Sequence, residues 1–203
     1  MFQLACAQIA PQKGDVAANL DTIAQVALQA GASGAELVIF PEGATTGYFL
    51  EGGVLEAALT ENELLGLVSE RFKGKLARPL DLVIGFYQKA GGNLYNSAAY
   101  LELTPEGGRV VHVYRKFFLP TYGVFDEERF VARGKELGVF DTRLGRLAIL
   151  ICEDLWHSIL PTLSALGGAQ LLIVPSASPG RGFSGDTVES LDRYHRLLTA
   201  VSE

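Results

Sequence analysis

Short, continuously aliphatic runs dominate the hydrophobic pattern of this chain. They predict strands at FQLACAQI (2–9), ELVIF (36–40), LDLVIGF (80–86), SAAYLEL (97–103), RVVHVY (109–114), RLAILIC (146–152) and AQLLIVP (169–175). A strand that is apolar on successive residues has no face to give to water, so these belong to sheets covered by helices on at least one side. Between the runs, apolar residues recur at helical spacing. Leu20, Ile23, Ala24, Ala27 and Leu28 predict a helix over about 17–31, and further helices are expected near 61–72 and after Pro161. A last helix falls in TVESLDRYHRLLTAVSE (187–203), where Leu191, Tyr194, Leu198 and Val201 share a face. Strand–helix–strand succession predicts an α/β domain. No repeat, low-complexity tract or linker interrupts it, so residues 1–203 are expected to form one domain. The pattern stops inside the last helix, with no following strand, an odd place for a complete domain to stop.

Composition narrows the function classes. Hydrophobic residues make up 48% and charged residues 20%, as in ordinary globular proteins. A formal net charge of −6 without a dense basic run argues against nucleic-acid binding. No apolar stretch is long enough to span a bilayer, and no basic region precedes the apolar start, so neither a membrane anchor nor a signal peptide is expected. Two cysteines far apart, Cys6 and Cys152, suit a reducing cytoplasm rather than a disulfide framework. Three histidines without ligand spacing predict no metal site.

Chemistry gathers at three strand ends, where open α/β sheets display reactive groups. Glu42 follows LVIF, Lys116 follows VVHVY, and Cys152 closes LAILIC. Each has a bland reading: a turn acid, a solvated lysine, a buried inert thiol. Together they suffice for nucleophilic attack on a carbonyl or nitrile carbon. A thiolate attacks, a carboxylate removes its proton and later activates water, and an ammonium holds the developing oxyanion. Beyond Cys152, Ser158 is a candidate N-cap, with Pro161 in the first turn of a helix whose N–H groups would serve that oxyanion. Asp154 is expected to cap or pair structurally, and His157 to be packed or solvent-facing rather than a partner of Cys152.

The segments LVIFPEG, YRKFFLP and ILICEDLW resemble the three signature segments of the nitrilase (carbon–nitrogen hydrolase) superfamily. GDVAANLDTI, LVIGFYQ and NLYNSAAYL extend the likeness, in order, over about residues 2–190. The resemblance implies an αββα four-layer sandwich whose C-terminal strands are missing here, so that the domain is expected to be truncated at its C-terminus, the alternative being a partner chain that supplies them. It implies Cys152 as nucleophile, Glu42 as general base, Lys116 as the positive group, and the Glu153 N–H completing the oxyanion site. It also implies a second carboxylate, best matched by Glu127, with Asp126 and Glu128 as adjacent competitors. LPTYGVFDEERF, ICEDLW and PSASP look most like the glutaminase domain of glutamine-dependent NAD synthetases, which puts Tyr122 and Ser178 beside an amide substrate. A packing tyrosine and a turn-capping serine are equally good readings of those two. Cys6 is expected to be the inert core cysteine, and the Gly/Ser-rich stretch 175–186 a mobile specificity loop. The expected function is a cofactor-independent amidase releasing ammonia from a linear amide, associated as a homodimer or larger homo-oligomer. Nitrile hydrolysis is the enzymatic alternative, and a non-catalytic interaction protein on the same scaffold is the alternative of another class.

Overall fold

The computed structural model describes residues 2–122, 126–178, 183–184 and 187–202. The first sheet runs in the order β1 (Leu4–Cys6), β2 (Leu37–Ile39), β3 (Leu80–Ala90), β4 (Asn93–Thr104) and β5 (Gly107–Arg115). Its first three strands are parallel, and β3, β4 and β5 form an antiparallel meander. Helices α1 (Val16–Ala32) and α3 (Glu61–Phe72) cover its outer face, with the single turn of α2 (Val54–Ala57) between them in sequence. The second sheet contains β6 (Val139–Thr142), β7 (Gly145–Ile149) and β8 (Leu171–Ile173), with α4 (Ile159–Leu166) between β7 and β8. A short hairpin of β9 (Phe183–Ser184) and β10 (Thr187–Val188) then leads into α5 (Glu189–Ser202).

Two-sided burial explains the unbroken apolar runs. Leu82, Ile84 and Phe86 of β3 pack under α1 and α3, against Leu20, Ile23, Leu64 and Val68. Val83, on the opposite face, joins Leu37, Ala98, Tyr100 and Tyr114 against Leu147, Ile149 and Ile173 of the second sheet. Helix, sheet, sheet and helix thus stack in the expected αββα order. Asp15 caps α1 through the Ala18 N–H at 3.0 Å, and a reciprocal Thr60–Glu63 capping box starts α3. At the end of the sheets remote from Glu42, buried Asp81 accepts from the Tyr100 hydroxyl at 2.6 Å. It also accepts from Arg143 Nε, in the β6–β7 turn, at 3.0 Å, which ties the two sheets together.

Several expectations need correction. Residues 2–9 contain only the three-residue strand β1, and Cys6 is exposed rather than a core residue. β1 is the outer strand of its sheet, and the three strands of the second sheet cover its neighbours instead. Strand β7 ends at Ile149, so Cys152 does not close it. Cys152 opens a 3₁₀ turn, Cys152–Trp156, which separates the thiol from α4. Ser158 makes no side-chain cap, because its backbone is already helical there. Its carbonyl instead accepts from the Thr162 hydroxyl at 2.7 Å. α4 begins before Pro161, at Ile159. On α5, Leu191 and Leu198 remain exposed while Tyr194 turns inward. Of the stretch 175–186, residues 179–182 and 185–186 lie outside the described residues.

Candidate active site

Glu42 sits on the loop leaving β2, pressed onto the middle of β3. The pressing requires Gly85: a Cβ there would lie 2.4 Å from the Pro41 carbonyl oxygen and 2.6 Å from the Gly43 nitrogen. Gly43 adopts φ 62° and accepts from the Gly47 N–H at 2.7 Å, turning the loop back over the sheet end. Lys116 follows β5, and its N–H donates to the Asn96 carbonyl at 2.8 Å. Gly134 lies against that backbone so closely that a Cβ would come 2.1 Å from the Arg115 carbonyl oxygen. Glu127 opens a short 3₁₀ turn, Glu127–Arg129, whose first N–H donates to the Pro120 carbonyl at 3.1 Å.

These three side chains converge in the interior. Lys116 is 0% exposed, Glu42 2% and Glu127 6%. Lys116 Nζ donates to Glu42 Oε1 and to Glu127 Oε2, each at 2.8 Å. Asn96 Nδ2 donates to both carboxylates, holding them on either side of the ammonium. The Ala177 N–H, from the loop after β8, donates to Glu42 Oε2 at 3.0 Å. Burial opposes the charge on Lys116, but the two carboxylates overcome it and hold its pKa well above the ordinary lysine value. Burial pushes Glu127 upward, with Lys116 opposing. Of the three neighbouring acids, Glu127 alone reaches this cluster: Asp126 is exposed, and Glu128 pairs with Arg133 at the surface.

Cys152 stands over the cluster with φ 48°, a left-handed conformation uncommon for a residue with a side chain. Its N–H donates to the Pro175 carbonyl at 3.0 Å. Asp154, fully buried, holds the turn in place. It accepts from the Ile151 N–H at 3.0 Å, the Phe118 N–H at 2.7 Å, the Phe117 N–H at 3.1 Å and the Tyr114 hydroxyl at 2.9 Å. One carboxylate therefore joins the thiol-bearing turn to the segment bearing Lys116. Burial raises Asp154 to about 6. Burial also pushes the Cys152 thiol up to about 12, and the field of Glu42 adds to it against the opposing Lys116. The resting sulfur is therefore a thiol at neutral pH, and a thiolate forms only when a base takes its proton.

A cleft of about 490 Å³ opens over Cys152. Tyr122 and Ser178 both line it. Tyr122 is 53% exposed, and its hydroxyl donates to Glu153 Oε2 at 2.7 Å. Ser178 Oγ lies 3.4 Å from the Cys152 sulfur. The Glu153 N–H stands in the first turn of the 3₁₀ segment, where backbone donors lack helical partners. His157 stacks on Phe118 at 3.6 Å between ring centroids, as a packed histidine, away from any dyad with Cys152. Four further residues were not singled out from the sequence: Asn96, Tyr48, Trp156 and Tyr194. Tyr48 places its ring 5.5 Å from Lys116 Nζ, and Tyr194 places its hydroxyl 3.3 Å from the Cys152 sulfur. Asn96 leaves one signal, a polar side chain early in a strand that is otherwise buried. Tyr194 leaves none, since an aromatic on the apolar stripe of a helix reads as packing.

Fold and site together define a hydrolase scaffold with a thiol over a buried Glu–Lys–Glu cluster. A carbon–nitrogen hydrolase family model matches residues 3–200, and the chain belongs to that family. It is 34% identical over 180 residues to a glutamine-dependent NAD(+) synthetase of Acinetobacter baylyi, covering 88% of this chain and 32% of that protein. The structure of a glutamine-dependent NAD+ synthetase from Acinetobacter baumannii superposes with a TM-score of 0.79 at 29% identity. That match covers 97% of this chain and 35% of the other. A cysteine-to-alanine mutant of the Nesterenkonia AN1 amidase, from the nitrilase superfamily, superposes with a TM-score of 0.75 at 25% identity, covering 98% and 71%. The chain thus spans about a third of the length of the NAD synthetases it matches. Among the described residues, no helix is long and apolar enough to cross a membrane.

Proposed function

We propose that this chain hydrolyses linear amides through a Cys152 thioester, releasing ammonia. The observation that carries the reading is the buried Glu42–Lys116–Glu127 cluster beneath a thiol on a left-handed backbone. When an amide enters the cleft, Glu42 takes the Cys152 proton as the sulfur attacks the carbonyl carbon. The C–S bond forms, and the carbonyl π electrons move to oxygen. Lys116 and the Glu153 N–H hold that oxyanion. As the carbonyl re-forms, the C–N bond breaks and Glu42 returns its proton to the departing ammonia. Water then enters, Glu42 removes a proton from it, and attack on the thioester yields the carboxylic acid and regenerates the thiol. Coupling proton removal to attack suits a thiol that burial keeps protonated at rest. Glu127 and Asn96 orient the ammonium and the base.

A glutamine-type ω-amide suits the cleft best. Glu153, Glu189 and Arg193 line it, offering acids to an ammonium and a guanidinium to a carboxylate. The relatives' dependence on glutamine, stated in their names, supports the same choice. The test is ammonia release from glutamine, asparagine, simple ω-amides and matched nitriles, with Cys152→Ala alongside. Amide turnover that vanishes in Cys152→Ala is expected. Turnover persisting in that variant, or faster turnover of the nitriles, overturns the proposal.

A further inference from the structure

Tyr194 reaches the reacting atom from an element distant in sequence. Its hydroxyl lies 3.3 Å from Cys152 Sγ and 2.8 Å from Ser178 Oγ, and the serine hydroxyl is the donor in the latter contact. Each hydroxyl has one proton. Ser178 spends its proton on Tyr194, although its oxygen also lies 3.4 Å from the sulfur. That leaves the tyrosine proton available to the sulfur: at rest either the S–H or the O–H can donate across this contact, and once the thiol proton has gone only the tyrosine can. Trp156, at the end of the turn that Cys152 opens, meets the Tyr194 ring edge-on at 5.3 Å and 81° and holds that ring against the thiol-bearing turn.

Resting on the amidase reading above, we infer that Tyr194 is a further catalytic residue, a hydrogen-bond donor to the Cys152 sulfur oriented by Ser178. It acts twice. As Glu42 removes the thiol proton, the sulfur gains negative charge and the hydrogen bond from Tyr194 strengthens. When the thioester breaks, the same donor holds the departing thiolate. Tyr194 keeps its proton throughout, and the proton transferred to and from sulfur moves through Glu42. Among the described residues, other ionisable groups face the thiol from several elements. Glu42 and Tyr48 approach from the loop after β2, and Lys116, after β5, is committed to its two carboxylates. Glu153 is engaged by Tyr122, while Glu189 and Arg193 line the cleft from α5. Burial and then the field of Glu42 push the thiol up, and Lys116 and the contacts from Ser178 and Tyr194 act in the opposite direction.

The test compares wild type, Tyr194→Phe and Ser178→Ala in a Cys6→Ser background, since the exposed Cys6 would also be alkylated. Two quantities are measured: alkylation of Cys152 by iodoacetamide between pH 7 and 9, and the kinetics of amide hydrolysis. A hydrogen bond to a charged group is worth about tenfold. A thiolate made correspondingly scarcer is also more nucleophilic, which offsets about half of that on a logarithmic scale. Tyr194→Phe is therefore expected to alkylate roughly threefold more slowly at every pH, and to lose about tenfold in kcat with KM unchanged. Ser178→Ala should shift alkylation in the same direction by less. Alkylation of Tyr194→Phe that is unchanged or faster overturns the inference, as does a change confined to KM, which would make Tyr194 a wall of the cleft. The alkylation comparison needs no substrate, so it decides the role of Tyr194 even if wild type hydrolyses no amide.

Discussion

Replacing Gly85 by alanine tests whether the Glu42 loop is positioned by contact with β3. The added Cβ would lie 2.4 Å from the Pro41 oxygen and 2.6 Å from the Gly43 nitrogen, both backbone atoms that cannot rotate aside. A comfortable contact needs about 3.4 Å, so the loop must rise by about 1 Å. The strand cannot yield instead, because Ile84 and Phe86 on either side are fully buried against α1 and α3. A shift of about 1 Å at a reacting group costs on the order of 100-fold in rate. Overpacking of this kind also costs about 1–3 kcal/mol of stability. The expected result is a Gly85→Ala protein that melts a few degrees lower, keeps its circular dichroism, and loses about 100-fold in kcat for ammonia release. Gly66→Ala is the control. Gly66 is exposed within α3 with nothing within 4 Å of an added Cβ, so alanine there should stabilise by about 0.5–1 kcal/mol and leave activity unchanged. Gly85→Ala turning over within twofold of wild type would refute the argument that this contact sets the position of Glu42.

Lys116→Met leaves Glu42 and Glu127 buried together without their shared cation, and is expected to cost about 3–5 kcal/mol in urea unfolding and to abolish amide turnover. Adding Glu127→Gln should recover part of that stability and none of the activity; recovered activity would separate the cluster from the chemistry. The Cys152 thiol, pushed up to about 12 from 9, ionises later in the fold than in the unfolded chain. Its alkylation in the Cys6→Ser background should rise about tenfold per pH unit from pH 7 to 10. Because the unfolded thiol loses its proton first, the fold loses stability as pH rises through 9 toward 12. A plateau in alkylation near neutral pH would show a preformed thiolate.

Much of the molecule was legible in the order of its residues. Seven apolar runs coincide with seven of the strands, because an interior strand such as β3, buried on both faces, has no polar alternation to disguise it; the run at 2–9 holds only the three residues of β1. The ends of those runs also marked Glu42, Lys116 and Cys152 as chemically capable. Strand β6, Val139–Thr142, went unseen, since an edge strand of four half-exposed residues carries little pattern. Cys6 was misplaced for a related reason: hydrophobicity says that a strand prefers cover, not whether another sheet reaches across it.

Sequence alone thus determined most of the strands and helices, and marked Glu42, Lys116 and Cys152 as chemically capable, since both follow from local pattern and residue chemistry. Only the tertiary structure decided how those side chains combine. It chose Glu127 over Asp126 and Glu128, because a one-residue change around a 3₁₀ turn redirects a side chain from the interior to water. It placed Asn96 between two carboxylates and Asp154 between two backbone segments. It brought Tyr194 to Cys152 across 42 positions of chain. It also protonated the thiol, since the pKa of a cysteine depends on how much water its neighbours exclude and on whose charges they bring.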